Sequence, residues 1–145
     1  MKFGYLSIIV LFLSACSVEP QEIIYGQDAC EFCKMNIVDQ QHAAQMVTAK
    51  GKATKYDAIE CMMNYLNRND LNSDDMAFLL ITDYNNPGKL IDAKSATYIR
   101  TESIPSPMGA FLSGMEDKEI AEKLIQEKGG SVFDWTELKE RYKAK

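Results

Sequence analysis

The sequence predicts an α+β fold, built as two small related strand-strand-helix-strand units packed as one compact periplasmic domain. Three observations carry that expectation. Strand-like runs and one amphipathic helical pattern recur in each half of the chain. Hydrophobic residues make up 46% of the 145, enough to bury a core and to argue against global disorder. Removal of an N-terminal export segment of fifteen residues leaves 130, a length for one compact domain. The expected boundaries are a signal peptide over 1–15, a lipidated N-terminus and tether over 16–24, a first unit over 25–86 and a second over 87–145.

The elements follow in order. Met1-Lys2 is a short positive start, and Leu6 to Leu13 is a compact apolar run, too short for a finished membrane span and suited to a secretion signal. It ends in Leu13-Ser14-Ala15-Cys16, the pattern of a bacterial lipobox with Cys16 as the lipidation site. Several acyl chains on one residue give durable membrane anchoring. Ser17 after the cysteine, in place of Asp, favours the outer membrane over the inner. The polar, proline-bearing stretch from Ser17 to Glu22 reads as a flexible tether.

Ala44 to Ala49 reads as a strand with a turn at Gly51. Asp57 has the position of a helix cap, with Glu60 three residues on completing a capping-box pattern. Ile59, Met62, Met63 and Leu66 then line one apolar helix face. Met76 to Thr82 is a dense apolar strand, and Asn85-Asn86-Pro87-Gly88 is a turn. The second half repeats the plan, with strand-like segments at Leu90 to Ile99 and Gly109 to Leu112. A helix from Asp117 to Lys128 buries Ile120, Ala121, Leu124 and Ile125, and Gly129 ends it. Val132-Phe133 is a short strand, and Thr136 caps a final helical turn carrying Leu138 and Tyr142.

Chemistry concentrates at Cys30-Glu31-Phe32-Cys33-Lys34-Met35. Two thiols and a thioether within six residues are soft donors, which select soft metals and above all Cu(I). With Cys16 assigned to lipid, Cys30, Cys33 and Cys61 remain. An odd number cannot all pair within the chain, so at least one thiol is free or bound to metal. A Cys-x-x-Cys pair also occurs in zinc sites, where only Cys61 and His42 are available as further ligands. It occurs in thiol-disulfide oxidoreductases as well, and a merely structural disulfide is the third alternative. Met46, Met62, Met63 and Met76 fit core positions, and Met115 fits loop or helix-start packing. His42, the single histidine, lies in a polar turn as either a solvated residue or a ligand. Cys61 is equally suited to core packing and to a third thiol donor.

The remaining composition excludes other classes. A net charge of −5 and an isoelectric point near 4.9 argue against a nucleic-acid surface. One histidine without a placed serine or cysteine partner makes no nucleophile-base pair, and no Gly-rich phosphate loop is present. The sequence reads as a binding protein, not an enzyme.

Taken together, Cys-x-x-Cys-x-Met at 30–35, the run Lys55-Tyr56-Asp57-Ala58-Ile59-Glu60-Cys61-Met62, Pro107-Met108-Gly109 with Ala110-Phe111, and Gly129-Gly130 closely resemble the NosL family of copper chaperones. The resemblance runs from Cys30 to about Leu138. It implies a lipid-anchored periplasmic protein that binds one Cu(I). The ion would pass to apo nitrous-oxide reductase, partly through an associated ABC transporter complex. It also implies that Cys33 and Met35 are sulfur ligands and that Met108 is their counterpart from the second unit, so that copper sits between the units. Members of the family often carry Gly where this chain has Lys34, whose charge would favour a neighbouring thiolate.

Overall fold

The computed structural model describes residues 17–143. The export segment and the lipidation site expected at Cys16 lie outside the described residues. Seven strands and three helices follow one another as β1 Ala44–Thr48, β2 Ala53–Tyr56, α1 Ile59–Arg68, β3 Met76–Asp83, β4 Asn86–Asp92, β5 Thr97–Arg100, β6 Leu112–Met115, α2 Lys118–Lys128, β7 Ser131–Phe133 and α3 Trp135–Lys143.

All pairings between these strands are antiparallel. The first sheet has the order β2-β1-β3-β4 and the second β6-β5-β7. Both units therefore share one plan. The first strand lies at the centre, the second pairs on one side, and the strand after the helix pairs on the other. The strand-strand-helix-strand repeat is thus real, and β4 and α3 are its additions.

Several local expectations shift. The chain reverses at Tyr84-Asn85, one residue before the expected turn, because Asp83 accepts bonds from the Asn85 amide at 3.2 Å and the Asn86 side chain at 2.6 Å. Asn86, Pro87 and Gly88 belong to β4, an edge strand where the missing proline N–H costs no ladder bond. The strands consequently change sheet after Asp92, not at 86/87. Leu90 to Ile99 is two strands, split by a turn at Ala93–Ala96. Gly109 and Phe111 have φ of 75° and 58°, which keeps 109–111 out of extended structure and delays β6 to Leu112.

Helix ends differ as well. Ala58, not Asp57, stands at the start of α1 and makes no side-chain cap bond. Asp117, expected as the first residue of α2, is instead its cap, accepting from the Glu119 and Ile120 amides at 2.9 and 3.1 Å. Ala121 is buried beneath that helix, whereas Ile120 is 46% exposed. At α3 the cap is Asp134 and not Thr136. Asp134 and Glu137 exchange reciprocal bonds of 2.9 Å, a complete capping box.

One continuous core crosses both sheets. Ile59, Met62 and Leu66 of α1 pack with Ile81 of β3, Tyr98 of β5 and Leu138 of α3. Ile99, Ile104, Met115 and Ala121 form a smaller cluster. Met115 ends β6 and is fully buried. At the junction of the sheets the Tyr84 amide donates to the Gly114 carbonyl at 2.9 Å. A Cβ on Gly114 would lie 2.1 Å from the Ile81 side chain, so glycine is what lets the two sheets approach.

Candidate metal centre

The thiols are brought together by one turn and one helix start. Ala29 and Asn36 form an isolated antiparallel bridge. Inside it the Cys30 amide donates to the Met35 carbonyl at 2.8 Å, and the Lys34 amide to the Cys30 carbonyl at 2.9 Å. Closing so tight a turn puts Lys34 at φ 65°, a region that glycine enters freely and lysine only at a cost. The turn is fastened to β2, because the Glu31 amide donates to the Lys55 carbonyl at 2.8 Å. Lys55 also pairs with Asp28 at 2.6 Å. Cys61 arrives from the first turn of α1.

The sulfurs of Cys30, Cys33 and Cys61 all lie within 4.8 Å of one another. Metal–sulfur bonds of about 2.3 Å in a trigonal plane would need about 4.0 Å between sulfurs. The three thiols thus stand close to ligating distance. All three are free, with Cys30 and Cys61 buried and Cys33 half-buried. The site consists of thiols, not of a structural disulfide.

Its electrostatics are asymmetric. The Cys30 thiol is pulled down to about 5, first by a hydrogen bond from the Cys61 thiol, then by the Asp57 and Cys33 amides, against the cost of burial. The Cys33 amide lies 3.4 Å from the Cys30 sulfur. Cys61 is pushed up because it is the donor in that pair and because it is buried. Burial also pushes Cys33 up, although the Met35 amide donates to it. At neutral pH the cluster therefore holds one negative charge, centred on Cys30 and shared with two thiols. The groups that stabilise it are amides and a thiol. The Lys34 ammonium instead faces Glu31 at 3.4 Å and is exposed, so the charge expected to favour the thiolate is turned away from it.

Residues read from sequence as possible ligands divide into three places. Cys30, Cys33 and Cys61 converge. Met35 and Met108 are exposed, at 56% and 44%. Met108 lines a cleft of about 510 Å³ together with Glu60, Arg100 and Tyr142. Its loop is tied to α1, since the Glu60 carboxylate accepts from the Ser106 hydroxyl and, at 3.4 Å, from the Ala110 amide. Glu60 is buried by that role, which replaces the capping-box role expected for it. The three thiols thus all come from the first unit, and the loop bearing Met108 is held against the helix that supplies Cys61.

His42 stands apart from the thiols. It is buried, not solvated, and its Nδ1 lies 2.9 Å from Asp39 Oδ2 and its Nε2 3.0 Å from Ser113 Oγ. Asp39, His42 and Ser113 thus have the connectivity of a hydrolytic relay, a partner for His42 that sequence alone does not place. Ser113 is wholly buried within β6, so no substrate carbonyl reaches its hydroxyl. The relay acts as a polar tie between the two sheets. Asp57 also departs from its expected role as a helix cap. It is buried beside Cys30, whose charge adds to burial in pushing its carboxyl up, and its amide serves the thiolate.

Fold and site together define a small α+β protein with a buried cluster of soft donors. The chain belongs to the NosL family, whose profile matches residues 21–143. Among solved structures, that of the copper chaperone NosL from Shewanella denitrificans is similar, with a TM-score of 0.71 at 18% identity over 83% of this chain and 96% of that one. At that identity the likeness shows a shared fold. No curated protein sequence matches the chain.

Proposed function

We propose that this protein is a non-enzymatic copper chaperone that holds one Cu(I) ion as cargo and hands it to a maturing acceptor. The observation that carries the reading is the convergence of three free thiols within 4.8 Å. Thiolates favour a soft monovalent ion over Zn(II) or Cu(II), and a cluster already bearing one negative charge is matched to one positive charge. In this reading Cys30, Cys33 and Cys61 hold the ion. The exposed thioethers of Met35 and Met108 are the donors that meet it on the way out. Membership of the NosL family and the copper chaperone of like fold support the assignment.

The finer reading follows from the resemblance of the sequence motifs. The acceptor is apo nitrous-oxide reductase, reached partly through its associated ABC transporter complex, and the protein works in the periplasm, anchored by lipid on Cys16, in the outer membrane. No described helix is long and apolar enough to cross a membrane. Anaerobic Cu(I) titration against a competing chelator tests the core of the proposal. A 1:1 complex with Kd of about a nanomolar or tighter is expected. Stoichiometric zinc binding that excludes Cu(I) would overturn it. A catalytic thiol-disulfide oxidoreductase is disfavoured, because the low-pKa sulfur is the buried Cys30 while the accessible Cys33 is pushed the other way.

A further inference from the structure

The stretch from Ser17 to Glu22, expected as a flexible tether, instead lies docked on a face of the first sheet. Gln45 of β1 stands directly opposite Lys55 of β2, so their side chains project from the same face. Gln45 holds the backbone of Gln21 twice, accepting from its amide at 2.8 Å and donating to its carbonyl at 2.6 Å. Lys55 donates to the Glu22 carbonyl at 2.5 Å, and Ile23 is buried in the main core. Gln45 is itself wholly buried, a polar side chain whose burial the bonds to Gln21 make possible.

The other end of this strap meets the β1–β2 turn. A Cβ on Gly51 would lie 3.6 Å from the Ser17 carbonyl oxygen and 3.8 Å from the Val18 side chain. Ser17 follows Cys16 directly, a Cα step of about 3.8 Å, so acyl chains on Cys16 would enter a bilayer beside this turn. Lys50 and Lys52 flank Gly51 and are exposed. Val18, 38% exposed, adds an apolar side chain at the same edge. We propose that residues 17–24 are a strap that seats the β1–β2 turn on a phospholipid surface, where the ammonium groups of Lys50 and Lys52 meet headgroup phosphates. The proposal rests on the reading of Cys16 as the lipid anchor and goes beyond it.

Charge and geometry set what the contact does. The chain carries a net charge of −5. Glu19 on the strap, and Asp74 and Asp75 next to the Met76 that pairs with Thr48, are acidic groups towards the same end, with Asp74 paired to Lys94 at 3.2 Å. Attraction is therefore confined to the turn and acts within a Debye length of about 8 Å. The acyl chains hold the protein, and the lysines orient it. The Glu31 amide bonds to the Lys55 carbonyl, so the thiol turn is fastened about 13 Å along the chain from Gly51. A free tether over 17–24 would let the domain wander by about 16 Å and face any direction. A seated domain presents its thiols at one height and in one orientation.

The test uses the full lipidated chain, isotope-labelled for amide NMR, in nanodiscs of phosphatidylethanolamine and phosphatidylglycerol that carry a gadolinium-chelating headgroup. The amide signals of Lys50, Gly51 and Lys52 should be lost to broadening. Those of Tyr84 and Asn85, at the opposite end of the first sheet, should survive. In the double variant Lys50→Glu and Lys52→Glu, headgroup phosphates repel the turn, so its signals should return while Cu(I) affinity is unchanged. Turn signals lost in the variant as in the wild type would overturn the lysine contact and the proposal with it. Intact mass reports the anchor separately. A lipidated chain with uniform broadening, or with loss centred away from the turn, would overturn the seating and leave the anchor standing. A mature chain that carries no acyl chains would overturn the anchor reading and the seating together.

Discussion

Cys30 is where the chemistry of the chain is set, and its amide donors cannot be read from residue types. Cys-x-x-Cys-x-Met is legible because it is contiguous. Cys61 is not decided by sequence, since it lies at the side of the apolar face of α1 and fits either role. The Asp57 and Cys33 amides that pull Cys30 down are backbone groups, visible only once the turn is folded. A pH dependence follows. Cys30 is held at about 5 against an ordinary 9.0, so its deprotonation favours the folded state. That contribution is complete above the unfolded value and is lost as pH falls through the folded one. Cys33 and Cys61 are raised, so they reverse the trend once pH passes their ordinary value. The melting temperature of the metal-free protein should climb from pH 5 towards about 8 and decline above about 9. Cys30→Ser should flatten the acid limb, and an unchanged limb would refute the thiolate. Ligand substitutions should rank as well. Cys33→Ser should abolish tight Cu(I) binding in chelator competition. Met35→Ala and Met108→Ala should leave that affinity within about threefold and instead slow release of Cu(I) to an acceptor chelator by on the order of tenfold.

Among the elements, those with long periodicity are legible and those fixed by tertiary contact are not. The apolar stripe of α1 and the stop of α2 stand in the sequence because local physics decides them. β2 leaves no such signal, being four residues long with only Thr54 and Tyr56 turned inward. The capping box expected at Asp57 and Glu60 fails because Glu60 is taken up by the 106–110 loop and Asp57 is buried beside Cys30, whereas Asp134 and Glu137 face solvent and keep theirs. Asp134→Ala should therefore cost about 1 kcal/mol in denaturant unfolding. A neutral result would show that α3 is held by Leu138 packing alone. Gly130 marks the sharper constraint. It has φ 118°, and a Cβ there would lie 2.2 Å from the Arg100 carbonyl, in the strand that β7 must pair with. Gly130→Ala should destabilise by about 1–3 kcal/mol, with amide exchange rising first in β5 and β7.

For the molecule as a whole, the pseudo-repeat is legible, and so is the place of all three thiols in the first unit, but their convergence within 4.8 Å is not. That arrangement depends on how the turn at 30–35 lies against α1, a contact between segments far apart in the chain. The two units are nonetheless tied together across their junction. His42 bridges to Ser113 at 3.0 Å, Tyr84 donates to Gly114 at 2.9 Å, Glu60 grips the 106–110 loop, and the main core runs through both sheets. A ligand held in the first unit should therefore stabilise both. Cu(I) at a free concentration one hundred times its Kd should add about 2.7 kcal/mol, a rise in melting temperature of about 10 °C for a chain of this size. The calorimetric trace should keep a single transition, and a Cu(I) chelator should reverse the shift. Two transitions, with only one moved by copper, would mean that the sheets fold independently and that these ties across their junction do not couple them.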